Sequence, residues 1–298
     1  MKDKMLKKAF SVVIVLAIFA GGVMFLHKKS MEKPYVGRLV FENTYASFND
    51  VREIILNENT TLYLEDNLWR IKEAQGYYAN HLLMNELFKI FNRATILQEV
   101  SIGEDAVLSE LISIKVSKEH DQVMDNAAVF EGNVAELDNR YFFVSGNFDF
   151  PREMLYWLQQ PLITFDVQDV EIARFISPSG EYTAIRPEVD KPAFLRKLSF
   201  LEFYDVKREG DFVAENYPNR LTIKLTFSDG LINVLDIYYN QREYWIKKSL
   251  ETSILPTKAA IEFAKNNKFL YDGWLFQISP EDGRFIVSQS RKPIEVKD

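Results

Sequence analysis

The apolar residues near the start of the chain form one long unbroken run. Residues 9–26 read AFSVVIVLAIFAGGVMFL and hold no charged side chain. About 20 apolar residues are needed to cross the hydrocarbon core of a bilayer, so the run predicts a transmembrane helix and anchor over residues 9–27, behind a cytoplasmic tail of residues 1–8. A cleaved signal peptide is the alternative, but its apolar core usually has only about 7 to 15 residues. This run continues past the candidate cleavage site before Gly21.

After a linker at residues 28–35, shorter apolar patterns predict strands and helices. Residues 51–56 (VREIIL) and 61–64 (TLYL) flank the polar turn NENT, which is typical of a β-hairpin. Apolar residues then recur every four positions through YYANHLLMNELFKIFNRA, which predicts an amphipathic helix. More strands follow, and PREMLYWLQQ, opened by Pro151, predicts a further helix.

The second half of the chain shows a similar order of patterns. ITFDVQDVEIARFISPSGEYTAI predicts two strands around a turn, a helix begins near Pro192, and RLTIKLTFSDGLINVLDIYY predicts a hairpin at Asp229–Gly230. A helix opened by Pro256 and a last hairpin, GWLFQISPEDGRFIVS, complete this half.

Two pairs of segments suggest that the halves correspond. NDVREIILNENTTLYL matches QDVEIARFISPSGEYTAI, and YFFVSGNFDFPREMLYW matches EYWIKKSLETSILPTKAAIEF. The parallel predicts an α+β fold, a tandem repeat of two mainly antiparallel-sheet units with helices. The first unit covers residues 36–160, and the second covers residues 161–298 with its C-terminal hairpin.

One stretch, LYLEDNLWRIKEAQGYYANHLLMNELFKIFNRATI, resembles the repeated unit of the bacterial domain-of-unknown-function family 4340 (DUF4340). It holds a strand pair, a step from Trp69 to Ile71, and Ala79-Asn80 opening the amphipathic helix; RYFFVSGNFDFPREML is similar to a later strand and helix of that family. The second unit lacks the tryptophan step. The resemblance covers most of residues 36–298. It implies an envelope protein with a membrane anchor, associated in some members with ABC-type transport systems, and it brings no catalytic residues.

Charge is unevenly distributed along the chain. Residues 1–33 hold seven Lys against Asp3 and Glu32, whereas the whole chain has a formal net charge of −7. The remainder is therefore acidic, which disfavours binding to nucleic acid. Lys side chains flank the apolar run on both sides, so the positive-inside comparison is nearly even. A short tail before a large domain favours a single-pass protein of the bacterial inner membrane with a periplasmic or other extracytoplasmic domain.

The residue types that carry common chemistry are scarce. The chain has no Cys, which excludes disulfides, thiol catalysis, Cys-ligated zinc and iron–sulfur clusters. His81 and His120 have no metal-type spacing, and the sequence lacks the motifs of zinc proteases, esterases and P-loop nucleotide sites. We therefore predict no catalytic residue, no metal, no cofactor and no nucleotide.

Candidate binding residues come from the aromatic and acidic side chains. Trp157 in LYWLQQP and Trp274 in YDGWLF have polar neighbours. Together with Asp272 they are predicted to line a groove for a peptide or a sugar, and core packing is the favoured alternative for both indoles. Asp149 and Glu153 share a predicted helix face, and such carboxylate pairs serve glycoside hydrolysis, although capping of the helix explains Asp149 better.

The predicted anchor, the acidic ectodomain and the missing catalytic motifs together favour binding over chemistry. They predict a non-enzymatic interaction or scaffold module that is held in the membrane by residues 9–27. Its partner is expected to be a membrane protein of a transporter or an assembly complex. The alternative is an envelope hydrolase, or a glycan- or peptide-binding domain, that uses a carboxylate and an exposed tryptophan.

Overall fold

The computed structural model describes residues 35–103, 106–119, 122–185 and 187–290. The predicted transmembrane segment, residues 9–27, lies outside them. Among the described residues, no helix has both the length and the apolar character that crossing a bilayer requires.

The first half of the described chain folds into a large antiparallel sheet. Its strands are β1 (Glu53–Leu56), β2 (Thr60–Glu65), β3 (Leu68–Ile71), β4 (Tyr77–Tyr78), β5 (Ile96–Val100), β6 (Glu110–Lys118), β7 (Gln122–Phe130), β8 (Val134–Leu137) and β9 (Arg140–Val144). These nine described strands pair in the order β4-β3-β2-β1-β6-β7-β8-β9-β5. On β6 the side chains of Ile112, Ile114 and Val116 are fully buried, and the alternation gives this first sheet a core-facing side.

The second half of the described chain contributes a small sheet and a second large sheet. The small sheet pairs β10 (Ile163–Thr164) with β13 (Phe200–Leu201). The second sheet contains β11 (Val170–Ser177), β12 (Gly180–Ala184), β14 (Asp205–Arg208), β15 (Asn219–Phe227), β16 (Leu231–Tyr239), β17 (Tyr244–Thr252) and β18 (Trp274–Ile278). Its described strands are antiparallel and follow the order β12-β11-β15-β16-β17-β18-β14.

The two large sheets share one strand order. Apart from β3 and β4, the first sheet reads β2-β1-β6-β7-β8-β9-β5, which matches the second sheet strand for strand. In each, a hairpin is followed by a helix and an edge strand, and then by a four-stranded meander whose last strand pairs with that edge strand. Strands β3 and β4 are thus an addition to the first sheet.

The described helices are short: α1 (Glu42–Ala46), α2 (His81–Arg93), α3 (Pro187–Asp190), α4 (Pro192–Leu198), α5 (Lys258–Asn267) and α6 (Pro280–Gln289). Side-chain oxygens of Asn80, Thr257 and Ser279 cap the three longest by accepting backbone N–H groups of the first turn. Single 3-10 turns form at Phe48–Asp50, Met154–Trp157, Val167–Asp169, Glu209–Asp211, Ala214–Asn216 and Lys268–Leu270.

The predicted α+β fold class is wrong, because the described chain consists mainly of three antiparallel sheets with few and short helices. The helix predicted for PREMLYWLQQ is reduced to the 3-10 turn Met154–Trp157. The Trp157 indole N–H donates to the Pro151 carbonyl oxygen at 2.9 Å, so this segment folds around its own tryptophan. Asp149 and Glu153 consequently do not share a helix face.

The predicted C-terminal hairpin is wrong as well. GWLFQISPEDGRFIVS forms strand β18, which lies between β17 and β14, and then helix α6. The helix begins here because Ser279 caps it and Pro280 occupies its first turn, where a missing N–H costs no hydrogen bond. The predicted division between residues 160 and 161 stays a prediction; the strands of the first sheet precede it, and those of the other two sheets follow it.

The sheets are joined by one continuous hydrophobic core. Tyr77, on the added strand β4, is 1% exposed. Its ring lies edge-on against three aromatic rings of the second half, at centroid distances of 5.2 to 5.6 Å: Phe203, Trp274 and Phe276. The added strand therefore carries a large aromatic side chain from the first sheet into the packing of the second.

Candidate functional site

The two tryptophans predicted to line a groove are buried. Trp157 has no exposed surface and stacks on Phe150 at a ring-centroid distance of 5.7 Å. Trp274 is 1% exposed and packs against the Arg208 guanidinium, whose carbon lies 3.8 Å from the ring centroid. Burial corrects the groove interpretation of both indoles in favour of core packing.

Asp272, the third predicted binding residue, lies at the surface. Its Oδ2 is 3.4 Å from Lys268 Nζ, an exposed ion pair of the kind that contributes little to stability. The three predicted residues thus do not form an open groove. In the described part of the chain, no group of three His, Cys, Asp or Glu side chains is placed to hold a metal ion.

A groove of about 1230 Å³ lies on the first sheet, beside the start of the described chain. It is bounded by the segment that begins at Tyr35 and by strands β6, β7 and β8. Six carboxylates and two cations line it, and we call it the acidic groove: Glu42, Glu58, Glu110, Asp125, Glu136 and Asp138, with Arg38 and Lys115. Its net charge is therefore negative.

Two of the groove carboxylates are held by neighbouring protein groups. Asp125 accepts hydrogen bonds from the Asn43 side-chain amide at 3.0 Å and from the Thr44 backbone N–H at 2.6 Å. Asp138 accepts one from the Tyr35 hydroxyl at 3.3 Å. These bonds fasten the first residues of the described chain to β7 and to the turn after β8, so they build the wall of the groove.

Three other groove carboxylates have no cationic partner. Across the described residues, Glu58, Glu110 and Glu136 belong to no ion pair. The charge of Glu136 raises the pKa of the nearby Tyr141 phenol. The lining of the groove thus keeps an unbalanced negative charge.

A buried amine lies in the core of the second half of the described chain. Lys248 on β17 is 4% exposed; its Nζ donates to the Leu162 carbonyl oxygen at 2.8 Å and lies 3.7 Å from the Tyr271 ring centroid. Burial lowers the pKa of Lys248 to about 7 and raises the pKa of Tyr271 to about 12. A lysine with a lowered pKa can act as a base, but this amine is closed off from solvent, which favours a structural role.

Sequence reasoning missed a second concave site, a cleft of about 450 Å³. We call it the aromatic cleft, with a floor of Phe48, Trp69 and Phe88 and a rim that includes Arg52, Asp66 and Asn67. The signal in the sequence was the Trp69 step, which begins two residues after the polar pair Asp66-Asn67. Those residues are far from Phe48 and Phe88 along the chain, so only the fold brings the cleft together.

Comparison with known proteins gives no relative from which a function could be transferred. No protein-family model matches the chain, and no curated protein or solved structure matches it. The resemblance to family 4340 is neither supported nor opposed by this result and stays a prediction.

Proposed function

We propose that this protein is a membrane-anchored component of a bacterial cell envelope that binds a basic segment of a membrane-protein partner and catalyses no reaction. Lysine and arginine side chains of the partner lie in the acidic groove. The observation that carries the proposal is the imbalance of charge in that groove, six carboxylates against two cations.

The arrangement of the carboxylates supports a basic polypeptide as the ligand. Asp125 and Asp138 accept hydrogen bonds from other groups of the protein. Glu58 and Glu110 are exposed, and Glu136 is partly exposed. Complementary charges across an interface speed association and reject partners of the wrong sign. The groove attracts cationic side chains along its length and repels phosphate-bearing ligands.

The position of the groove supports a partner in the membrane. Its lining begins at Tyr35, and only residues 28–34 separate Tyr35 from the proposed anchor, residues 9–27. An extended chain spans at most about 3.3 to 3.6 Å per residue, so the eight steps from residue 27 to Tyr35 hold this part of the groove within roughly 29 Å of the end of the anchor. Segments of an integral membrane protein near the bilayer surface lie in that zone.

The test is capture of the partner by the full-length protein extracted in mild detergent. We expect one membrane protein to co-purify in a fixed ratio, and the triple variant Glu58→Gln, Glu110→Gln, Glu136→Gln to lose it. Higher ionic strength should weaken the wild-type complex, because salt screens exposed charges. A Val107→Cys variant reports on which side of the membrane the domain lies. Position 107 is 95% exposed, and a membrane-impermeant maleimide added to spheroplasts labels this cysteine only if the domain is outside the cytoplasm.

A matched variant and a rival ligand sharpen the test. Glu171→Gln, Glu202→Gln, Glu215→Gln also removes three exposed negative charges, but away from the groove, and should keep the partner. The rival ligand is the protein's own basic linker, which could occupy the groove and compete with the partner. Replacing Lys28, Lys29 and Lys33 by Gln should therefore leave capture of the partner intact or strengthen it. Retention of the partner by the groove variant, or absence of any stoichiometric partner, would refute the proposal.

A further inference from the structure

We propose that the aromatic cleft is a second, independent binding site and that it binds a saccharide, with a pyranose ring stacked on Trp69. The cleft is built on β3, one of the two strands that the first sheet has in addition to the order it shares with the second. Nothing in the proposal depends on the acidic groove.

Trp69 differs from the other tryptophans in its exposure. Trp157, Trp245 and Trp274 are at most 1% exposed, whereas Trp69 is only partly buried and lines an open cleft. An indole face at the surface offers a large, rigid apolar area together with a polar edge. Such a face suits the apolar C–H side of a sugar ring.

The floor of the cleft is fixed by packing between three elements. The ring of Phe88 on α2 lies 5.7 Å from that of Trp69 on β3 and 5.1 Å from that of Phe48 in a 3-10 turn, centroid to centroid. The backbone of Trp69 is held as well, because its carbonyl oxygen accepts from the Ala79 N–H at 2.9 Å. The stacking surface is therefore formed before a ligand arrives, which lowers the entropic cost of binding.

The rim carries both donors and acceptors for hydroxyl groups. Asp66 and Asn67 form the turn between β2 and β3, with φ of 52° and 61°, a tight hairpin turn that fixes the backbone from which both exposed side chains project. The Arg52 guanidinium is held by donating to the carbonyl oxygens of Asn49 and Val51, at 2.8 and 2.9 Å. Carboxylate, amide and guanidinium together match the mixed hydrogen bonding of a sugar edge.

The balance of these groups selects the class of ligand. The rim has one cation, Arg52, and one anion, Asp66, and Arg52 Nε also lies 3.8 Å from Glu119 Oε1, so the cleft has no excess of cations for an anionic ligand and a single carboxylate for a cationic one. A purely apolar ligand would leave the polar rim groups unpaired, which is costly. A volume of about 450 Å³ suits a small ligand or one or two residues of a chain. Asp66 is the one carboxylate in the described lining, whereas glycoside hydrolysis uses two, so the cleft binds and does not cleave.

The experiment is calorimetric titration of the full-length protein in detergent with cellohexaose, maltohexaose and chitohexaose. We expect at least one hexasaccharide to bind. Trp69→Ala should abolish binding, and Trp69→Phe should retain part of it. Asn67→Gly, which keeps the turn because Gly accepts positive φ, should weaken binding about tenfold, the effect of losing one good hydrogen bond.

The chain offers a matched control for the turn. Asn139 occupies the equivalent place in the other Asp-Asn turn, with φ of 60°, and Asn139→Gly should leave saccharide binding unchanged. Equal effects of the two Asn→Gly variants would overturn the proposal. Absence of heat from all three hexasaccharides at millimolar concentrations would overturn it too, with no bearing on the capture of a partner by the acidic groove.

Discussion

Lys248 places an amino group among the aromatic side chains of the core, where a charge is costly. Its Nζ has the Leu162 carbonyl oxygen and the Tyr271 ring as neighbours, and burial alone accounts for its lowered pKa. The folded protein therefore holds this lysine proton less tightly than the unfolded chain does.

The free energy of unfolding should consequently rise with pH across the neutral and mildly alkaline range. The unfolded chain keeps the Lys248 proton up to the ordinary pKa of 10.5, whereas the folded protein releases it near 7. Between these values the unfolded state binds more protons, so raising the pH stabilises the folded state. The full change across this window is on the order of 3 to 5 kcal/mol. Urea unfolding at about pH 6 and about pH 9 measures most of it.

Substitutions at two adjacent lysines isolate the contribution of Lys248. Lys248→Met should flatten the rise and stabilise the protein at the acidic end, because a buried charge is replaced by an apolar side chain of similar length. Lys247→Met changes a partly exposed lysine that is paired with Glu209. This variant should keep the rise of the free energy of unfolding with pH. Parallel pH profiles for the two variants would contradict the assignment.

The sequence neighbours of individual aromatic residues do not decide their burial. Polar residues beside Trp157 and Trp274 leave a groove possible although core packing is favoured, and both indoles are covered by residues distant in the chain or by the fold of their own segment. Trp69 lies between exposed Leu68 and buried Arg70, so simple alternation does not reveal its open face. The Trp69 step alone therefore does not predict the aromatic cleft, whose other floor residues, Phe48 and Phe88, join it only in the folded chain.

The contact between α6 and β17 depends on a residue without a side chain, Gly283. A Cβ atom there would lie 2.0 Å from Cγ of the Tyr244 ring, far inside van der Waals contact. Alanine favours a helix over glycine by about 1 kcal/mol, but the clash should dominate. We expect Gly283→Ala to lower the free energy of unfolding by about 1 to 3 kcal/mol in urea titrations.

Gly210→Ala is the control for this helix contact, because nothing lies within 4 Å of a Cβ built at Gly210. We expect its stability to stay close to that of the wild type. A Gly283→Ala protein as stable as the Gly210→Ala protein would show that α6 packs differently against Tyr244.

Elements with a strong local signal could be predicted, whereas others depended on distant contacts. The hairpin at Asp229–Gly230 pairs as its alternation predicts, and the long periodic helix α2 forms. Strand β18 is buried at every residue, so it shows no alternation. The sequence of the segment after β18 fits a second strand of a hairpin as well as it fits a helix. Only the Ser279 cap and the contact of Gly283 with Tyr244 distinguish the two.

At the scale of the whole molecule, the balance of sheet and helix was harder to predict than the correspondence between the halves. The matched hairpin segments of the sequence become β1–β2 and β11–β12, which occupy equivalent places in the two strand orders. The other matched pair is offset, because β9 corresponds by topology to β18 and not to β17. The edge pairings β5–β9 and β14–β18 join distant parts of the chain, so no local pattern could show them.

The continuous core predicts that the two halves unfold together. Tyr77→Ala should lower the free energy of unfolding by about 3 to 5 kcal/mol, because it leaves a cavity among Phe203, Trp274 and Phe276. Tyr77→Phe keeps the ring and should change stability little. Calorimetry of both variants should show one transition, and a second transition in the wild type would mean that the halves are independent.

The backbone pairing at the start of the described chain also has a mechanical consequence. The N–H of Gly37 donates to the Ile96 carbonyl, that of Ile96 to the Arg38 carbonyl, and that of Val40 to the Ala94 carbonyl, each at 2.8 Å. Strand β5 is an edge of its sheet, so tension applied through the N-terminal side of the chain is loaded onto these few bonds. Under such tension residues 37–40 would separate from β5, and the bonds to Asp125 and Asp138 would be loaded next, before the interior strands of the sheet.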